Sequence, residues 1–130
     1  MNHLRHLGWA VLLVLGLGFT GCSSHKEFAP SYDEVLRYPL AYDLTYLRTV
    51  EALENMPGWE LLETEKEKGI ICIYNGQIGR LDDPDSRMAT VLVKRVSRKE
   101  TTVELAPRSR RVVGGKEMFR LISEYVGREL

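Results

Sequence analysis

The chain has 130 residues, with 18 basic and 18 acidic side chains and a formal net charge of zero at pH 7. That length supports one domain with a modest core, and the charge balance makes no case for nucleic acid as a partner. Two cysteines are too few for a disulfide framework.

Met1–His6 holds one base, Arg5, and no acid, and Leu7–Leu17 is apolar, with Trp9, Val11, Leu12, Leu13, Val14 and Leu15 at its centre. A basic start, an apolar middle and the small residues Gly18 and Gly21 ahead of a cut are the parts of a signal peptide. The run is shorter than the roughly 20 apolar residues of a membrane-spanning helix. The expected division is a leader over residues 1–21, an anchor and tether over 22–31, and a single domain over 32–130. Ser23–Pro30 is polar and has no apolar period. At about 3.3–3.6 Å per extended residue it reaches roughly 30 Å, which keeps the domain near its point of attachment.

Phe19-Thr20-Gly21-Cys22 resembles the lipobox of bacterial lipoproteins, with Phe19 standing where that motif usually has leucine. The resemblance implies that the chain is exported, cut before Cys22, and held on a membrane by lipid on the Cys22 sulfur, the nucleophile that takes the diacylglycerol group. Each buried methylene contributes about 0.8 kcal/mol, and several chains together give stable anchoring where one does not. In sorting of the enterobacterial type, aspartate after the cysteine retains a lipoprotein in the inner membrane. Ser23 therefore implies the outer membrane, with the domain facing the periplasm. With Cys22 lipidated, Cys72 has no partner in the chain and is expected as a small buried apolar residue in a strand.

Ser31, Tyr32, Asp33 and Glu34 fit a capping box and predict a short helical turn ending before Pro39. A longer helix is expected from about Leu40 to Met56. Residues 100° apart place Tyr42, Tyr46, Val50 and Leu53 on one stripe, flanked by Leu47 and Met56, with Arg48, Glu51 and Asn55 opposite and Leu44 pointing outward. Pro57-Gly58 ends it. Trp59–Thr64 and Ile70–Tyr74 read as a hairpin about the turn Glu65–Gly69. Asn75-Gly76 is a tight-turn signal, Gln77–Leu81 a short strand or a loop, and Asp82–Ser86 a turn. Met88–Val96 is a valine-rich strand, Ser97–Glu100 turns, and Thr101–Ala106 returns with Val103 and Leu105 on one face. Short turns imply antiparallel pairing. Arg108–Gly115 is a basic loop. The last helix starts near Gly115 or Lys116 and gathers Met118, Phe119, Leu121, Ile122, Tyr125 and Val126 on one side. The expected class is α+β: a three- or four-stranded antiparallel sheet with an N-terminal and a C-terminal helix packed on one face.

This layout behind a lipobox, together with the segment Val103–Gly114 that runs from a strand through a basic loop towards the last helix, resembles small helix-and-sheet envelope lipoproteins such as the BamC lipoproteins of the outer-membrane assembly machinery. The resemblance covers roughly residues 40–130. It implies a binding or assembly role by analogy of pattern.

After Cys22 the one histidine is His25, in the tether. The domain therefore lacks the partner for a Ser-His or Cys-His nucleophile pair, and one histidine with one free cysteine makes no ordinary zinc site. Gly114-Gly115 lacks the spacing of a phosphate-binding loop. Asp82, Asp83 and Asp85 offer oxygen ligands of the kind Ca²⁺ takes, but without EF-hand spacing they read as a solvated turn around Pro84. Residues 33–68 carry nine acids and four bases, and residues 80–130 twelve bases and eight acids. These read as two solvated faces of opposite tendency, with a polar contact surface as the alternative.

Arg108, Arg110, Arg111 and Lys116 are the candidate binding residues. Arginine forks match carboxylates and phosphates, and a loop between strand and helix is where binding residues concentrate. They would grip an acidic protein, an anionic headgroup or a peptidoglycan carboxylate; the structural alternative is a loop that keeps an edge soluble. Tyr42 and Tyr46 read as core, Trp59 as core or rim, and Leu44 and Tyr32 as exposed contacts. The expected function is a membrane-anchored, non-enzymatic envelope module without a cofactor. It would bind another envelope protein by sheet-edge pairing or through the basic loop. One alternative is a module for cell-wall glycan or lipid, which predicts an apolar or aromatic cleft between helices and sheet. Another is a small hydrolase, which requires a pocket with converging carboxylates.

Overall fold

Apolar side chains two residues apart build one face of a sheet. In the computed structural model, which describes residues 31–77 and 87–130, the elements run β1 (Val35–Tyr38), α1 (Tyr42–Glu54), β2 (Trp59–Glu65), β3 (Ile70–Asn75), β4 (Met88–Ser97), β5 (Glu100–Leu105), a 3-10 turn (Pro107–Ser109) and α2 (Gly115–Gly127). The expected leader, Cys22, most of the tether, His25 and the Asp82–Asp85 cluster lie outside the described residues. The sheet has the order β1-β5-β4-β3-β2, and every neighbouring pair is antiparallel.

Register aligns the buried residues in rows. Ile73 faces Ala89 and Ile71 faces Val91 across β3 and β4; Val91 faces Leu105 and Val93 faces Val103 across β4 and β5. These join Ala52 and Leu53 of α1, Met56 just beyond it, and Met118, Phe119, Ile122 and Val126 of α2 in a single core. Each Val, Leu, Ile, Met or Phe among them contributes about 1.5–3 kcal/mol by leaving water. Polar ties join the elements, one between the helices and one from sheet to helix. Arg48 Nε of α1 donates to Glu129 at 2.7 Å, just past α2, and the hydroxyls of Tyr38 on β1 and Ser123 on α2 meet at 3.1 Å.

The α+β class and the antiparallel sheet are as expected, and several details are corrected. The sheet has five strands, not three or four, and a strand precedes the first helix. That strand replaces the expected helical turn. Ser31 Oγ bonds Asp33 at 3.0 Å instead of capping a helix, while Val35–Tyr38 pairs with Glu104–Thr101. One isolated helical turn fixes several residues for a single hydrogen bond, so the ladder wins. The buried face of α1 is Thr45, Tyr46, Thr49, Ala52 and Leu53; Tyr42, Val50 and Leu44 are half-buried. The threonines are accommodated because their hydroxyls donate one turn back, Thr45 to the Ala41 carbonyl at 3.0 Å and Thr49 to the Thr45 carbonyl at 2.7 Å. Cys72 lies in β3 but is half-buried, alternating away from the core residues Ile71 and Ile73, with Sγ 3.6 Å from Thr90 Oγ1.

Candidate functional site

The basic loop is held by its uncharged residues. Pro107 starts the 3-10 turn after β5. The Ser109 side chain is buried, and its Oγ accepts the Thr90 N–H at 2.8 Å. Val112 is buried two residues before Gly114, whose φ of 88° is the left-handed conformation glycine favours and leads into α2. Between these pins Arg108 and Arg111 are exposed, and Lys116 is exposed in the first turn of α2. Arg110 is half-buried and engaged. Its Nε lies 3.5 Å from Asp33 Oδ1, and its carbonyl accepts the Tyr32 N–H at 2.8 Å. The three arginines thus share one short connection, Lys116 follows in the helix it enters, and Arg108, Arg111 and Lys116 are exposed to solvent.

Tyr32 belongs to the core's rim and is not an exposed contact. Its ring meets Phe119 edge-on at a centroid distance of 6.3 Å. It also lies so close over Gly115 that a β-carbon there would fall 2.5–2.9 Å from the ring. Trp59 is buried, as expected.

A polar hollow of about 500 Å³ opens beside the β2–β3 turn, lined by Tyr42, Asp43, residues 66–68 and residues 93–95. Its lysines are paired. Lys66 pairs with Asp43 at 3.0 Å, Lys68 with Glu65 at 2.6 Å, and Lys94 with Glu104. The Arg95 guanidinium stands 5.1 Å above the Tyr42 ring. Hydrogen bonding to Asp43 and to Glu65 raises the pKa of Lys66 and of Lys68 respectively, and burial is the first cause that raises that of Tyr42. All three groups keep their protonated forms at neutral pH, which suits a surface ion-pair network.

A second groove, of about 520 Å³, is apolar. It runs along the outer flank of α1 beside the end of β2, lined by Leu44, Leu47, Val50 and Tyr46, with Thr64 and the Lys66–Asp43 pair at its rim. Leu47 is 57% exposed. The space between the helices and the sheet, where the glycan or lipid alternative predicts a cleft, is filled by core side chains. Reading α1 as one stripe missed this groove. The signal was present in Leu44, Leu47 and Val50, a second apolar row at three-residue spacing.

Among the described residues no group of three or more His, Cys, Asp or Glu is placed to hold a metal ion. No described helix is long and apolar enough to cross a membrane. No protein-family model matches the chain, and no curated protein matches it.

Proposed function

We propose that the chain is a lipid-anchored, non-enzymatic module of a bacterial envelope that binds a protein partner close to the membrane. The observation that carries this reading is the N-terminal pattern: a basic start, a short apolar run, and Gly21-Cys22 followed by Ser23 and a polar stretch. On that reading lipid on Cys22 supplies the membrane attachment, and Ser23 favours the outer membrane, facing the periplasm. The domain supports a binding role in two ways. Its loop presents Arg108 and Arg111 from a backbone already pinned by Ser109 and Val112, so little ordering cost remains on association. It also leaves apolar surface outside the core at Leu47 and Leu62, 57% and 55% exposed.

The test begins with cells fed an alkyne-tagged fatty acid. The parent chain takes up the label and fractionates with membranes, and Cys22→Ala loses both properties; label retained by the variant defeats the anchor. The tagged, lipidated protein is then recovered from its envelope in mild detergent. A co-purifying protein at equal stoichiometry supports the adaptor reading. Recovery of the chain alone defeats it and favours the glycan or lipid module.

A further inference from the structure

The strand β2 ends the sheet beyond β3, and its outer edge faces no other strand among the described residues. Alternation sorts its side chains. Trp59 and Leu61 stand opposite Asn75 and Ile73, on the helix side; Glu60 and Glu63 stand opposite Tyr74 and Cys72, on the other face. Glu65, opposite Ile70, is already neutralised by Lys68 at 2.6 Å. Glu60 and Glu63 have no ion-pair partner among the described residues. The apolar groove of Leu44, Leu47 and Val50 meets the same strand at Thr64 on the helix side. One edge therefore has an acidic face and an apolar face, the two sides between which an added strand alternates its residues.

Protection of an exposed edge explains part of this. Natural sheets guard their edges with charge and with bulges, and β2 has both, its register shifting between Leu61 and Glu63. Protection gives no reason for an uncovered apolar shelf beside the edge, which adds to the hazard that the acids reduce. We infer that β2 accepts an extended segment of a partner protein as a further strand. The segment alternates apolar residues, which enter the Leu44–Leu47–Val50 groove, with lysine or arginine, which meet Glu60 and Glu63. The inference rests on the adaptor reading for the existence of a protein partner and names the chemistry of that partner. A second copy of the chain does not fit. Antiparallel pairing of two β2 edges about a two-fold axis sets Glu60, Glu63 and Glu65 beside the same three acids.

The experiment uses the full lipidated chain in detergent and three short capped, fluorescent peptides. One alternates Lys and Val, one has the same composition in two blocks, and one alternates Glu and Val. Anisotropy is expected to show binding of the alternating Lys peptide at least about tenfold tighter than either control, the equivalent of about 1.4 kcal/mol. Hydrogen exchange is expected to slow at β2 amides when it binds. Glu60→Lys with Glu63→Lys reverses the preference towards the Glu peptide, and Leu47→Glu weakens binding, while both proteins melt like the parent. Equal binding of alternating and blocked peptides, an unchanged preference in the lysine variant, or protection confined to other strands overturns the inference. A concentration-dependent dimer abolished by Leu47→Glu assigns the edge to a second copy and overturns it too. If the peptides fail while the envelope pull-down still returns a stoichiometric partner, this inference falls and the adaptor reading stands. If the pull-down returns the chain alone, the adaptor reading falls whatever the peptides do.

Discussion

The two edges of the sheet are finished in different ways. At the β1 edge several contacts run inward, although Val35 is 43% exposed. The Tyr38 hydroxyl meets Ser123, the Tyr32 N–H reaches the Arg110 carbonyl, the Tyr32 ring closes over Phe119 and Gly115, and Thr101 Oγ1 donates to the Leu40 carbonyl at 2.9 Å. At the β2 edge Glu60 and Glu63 face solvent, and Leu47 and Leu62 expose more than half their surface. Each edge strand puts one side chain into the core, Tyr38 from β1 and Trp59 from β2; they differ in the polar ties around them. In a fold of this size, side chains that do not secure the core are free to serve contacts with other molecules.

The sharpest way to break this comparison is to place the same charge on both sides. Phe119→Asp buries an unpaired carboxylate at a site 4% exposed and should unfold the domain, at a cost of several kcal/mol. Leu47→Asp should change stability by no more than about 0.5 kcal/mol. Thermal melting followed by circular dichroism checks both, and similar melting of the two variants would erase the distinction. The next effect tests whether the open edge is at least secured at its turn. Gly69 has φ 68°, and an added β-carbon would overlap the Val93 carbonyl oxygen, which lies in the neighbouring strand. Gly69→Ala should cost about 2–5 kcal/mol in urea unfolding, and a neutral result would show that the β2–β3 turn is looser than described.

Ser109→Ala comes next. It strips the acceptor from the Thr90 N–H and should cost about 1–3 kcal/mol, while Arg108→Ala in the same loop leaves the midpoint unchanged. Equal effects would mean that the arginine, not the buried serine, holds the loop. The smallest effect appears only in alkali. Burial raises the Tyr38 phenol above its ordinary value of 10.0, the Ser123 hydrogen bond opposes the rise, and Glu34 adds to it. The folded state therefore favours the neutral phenol. That contribution is complete below pH 10 and is lost as pH climbs through the raised value. Tyr38→Phe should remove this part of the alkaline decline in urea midpoints; an unaltered decline would place the sensitive group elsewhere.

Most of the sheet and the last helix were legible because their signals are local. Ile71 and Ile73, Val91 and Val93, and Val103 and Leu105 alternate within their own strands, and Met118, Phe119, Ile122 and Val126 repeat at helical spacing. β1 was hidden for the opposite reason. Four residues are too few to show a period, the capping-box pattern at Ser31–Glu34 points to helix, and the partner that overrules it, β5, is remote in sequence. The buried face of α1 was misjudged because Thr45 and Thr49 read as polar, whereas their hydroxyls are satisfied by carbonyls one turn back. For the candidate site, the exposure of Arg108, Arg111 and Lys116 followed from composition. The engagement of Arg110 by Asp33 and Tyr32 did not, since it depends on where β1 docks. The groove likewise depends on β2 lying beside α1, which no single segment encodes.

The pairing of β1 with β5 also governs the timing of folding. Val35 finds its place only against Glu104, and Tyr38 only against Thr101. The helices and the β2–β3 and β4–β5 hairpins involve near neighbours and can form early, whereas joining the first strand to the last waits for almost the whole domain. The loop-closure entropy involved grows only slowly with the length of chain enclosed, so the delay adds little to the thermodynamic cost. The segment that leads the domain is therefore the last to be locked, and β1 stays an unpaired strand until the fifth strand is in place.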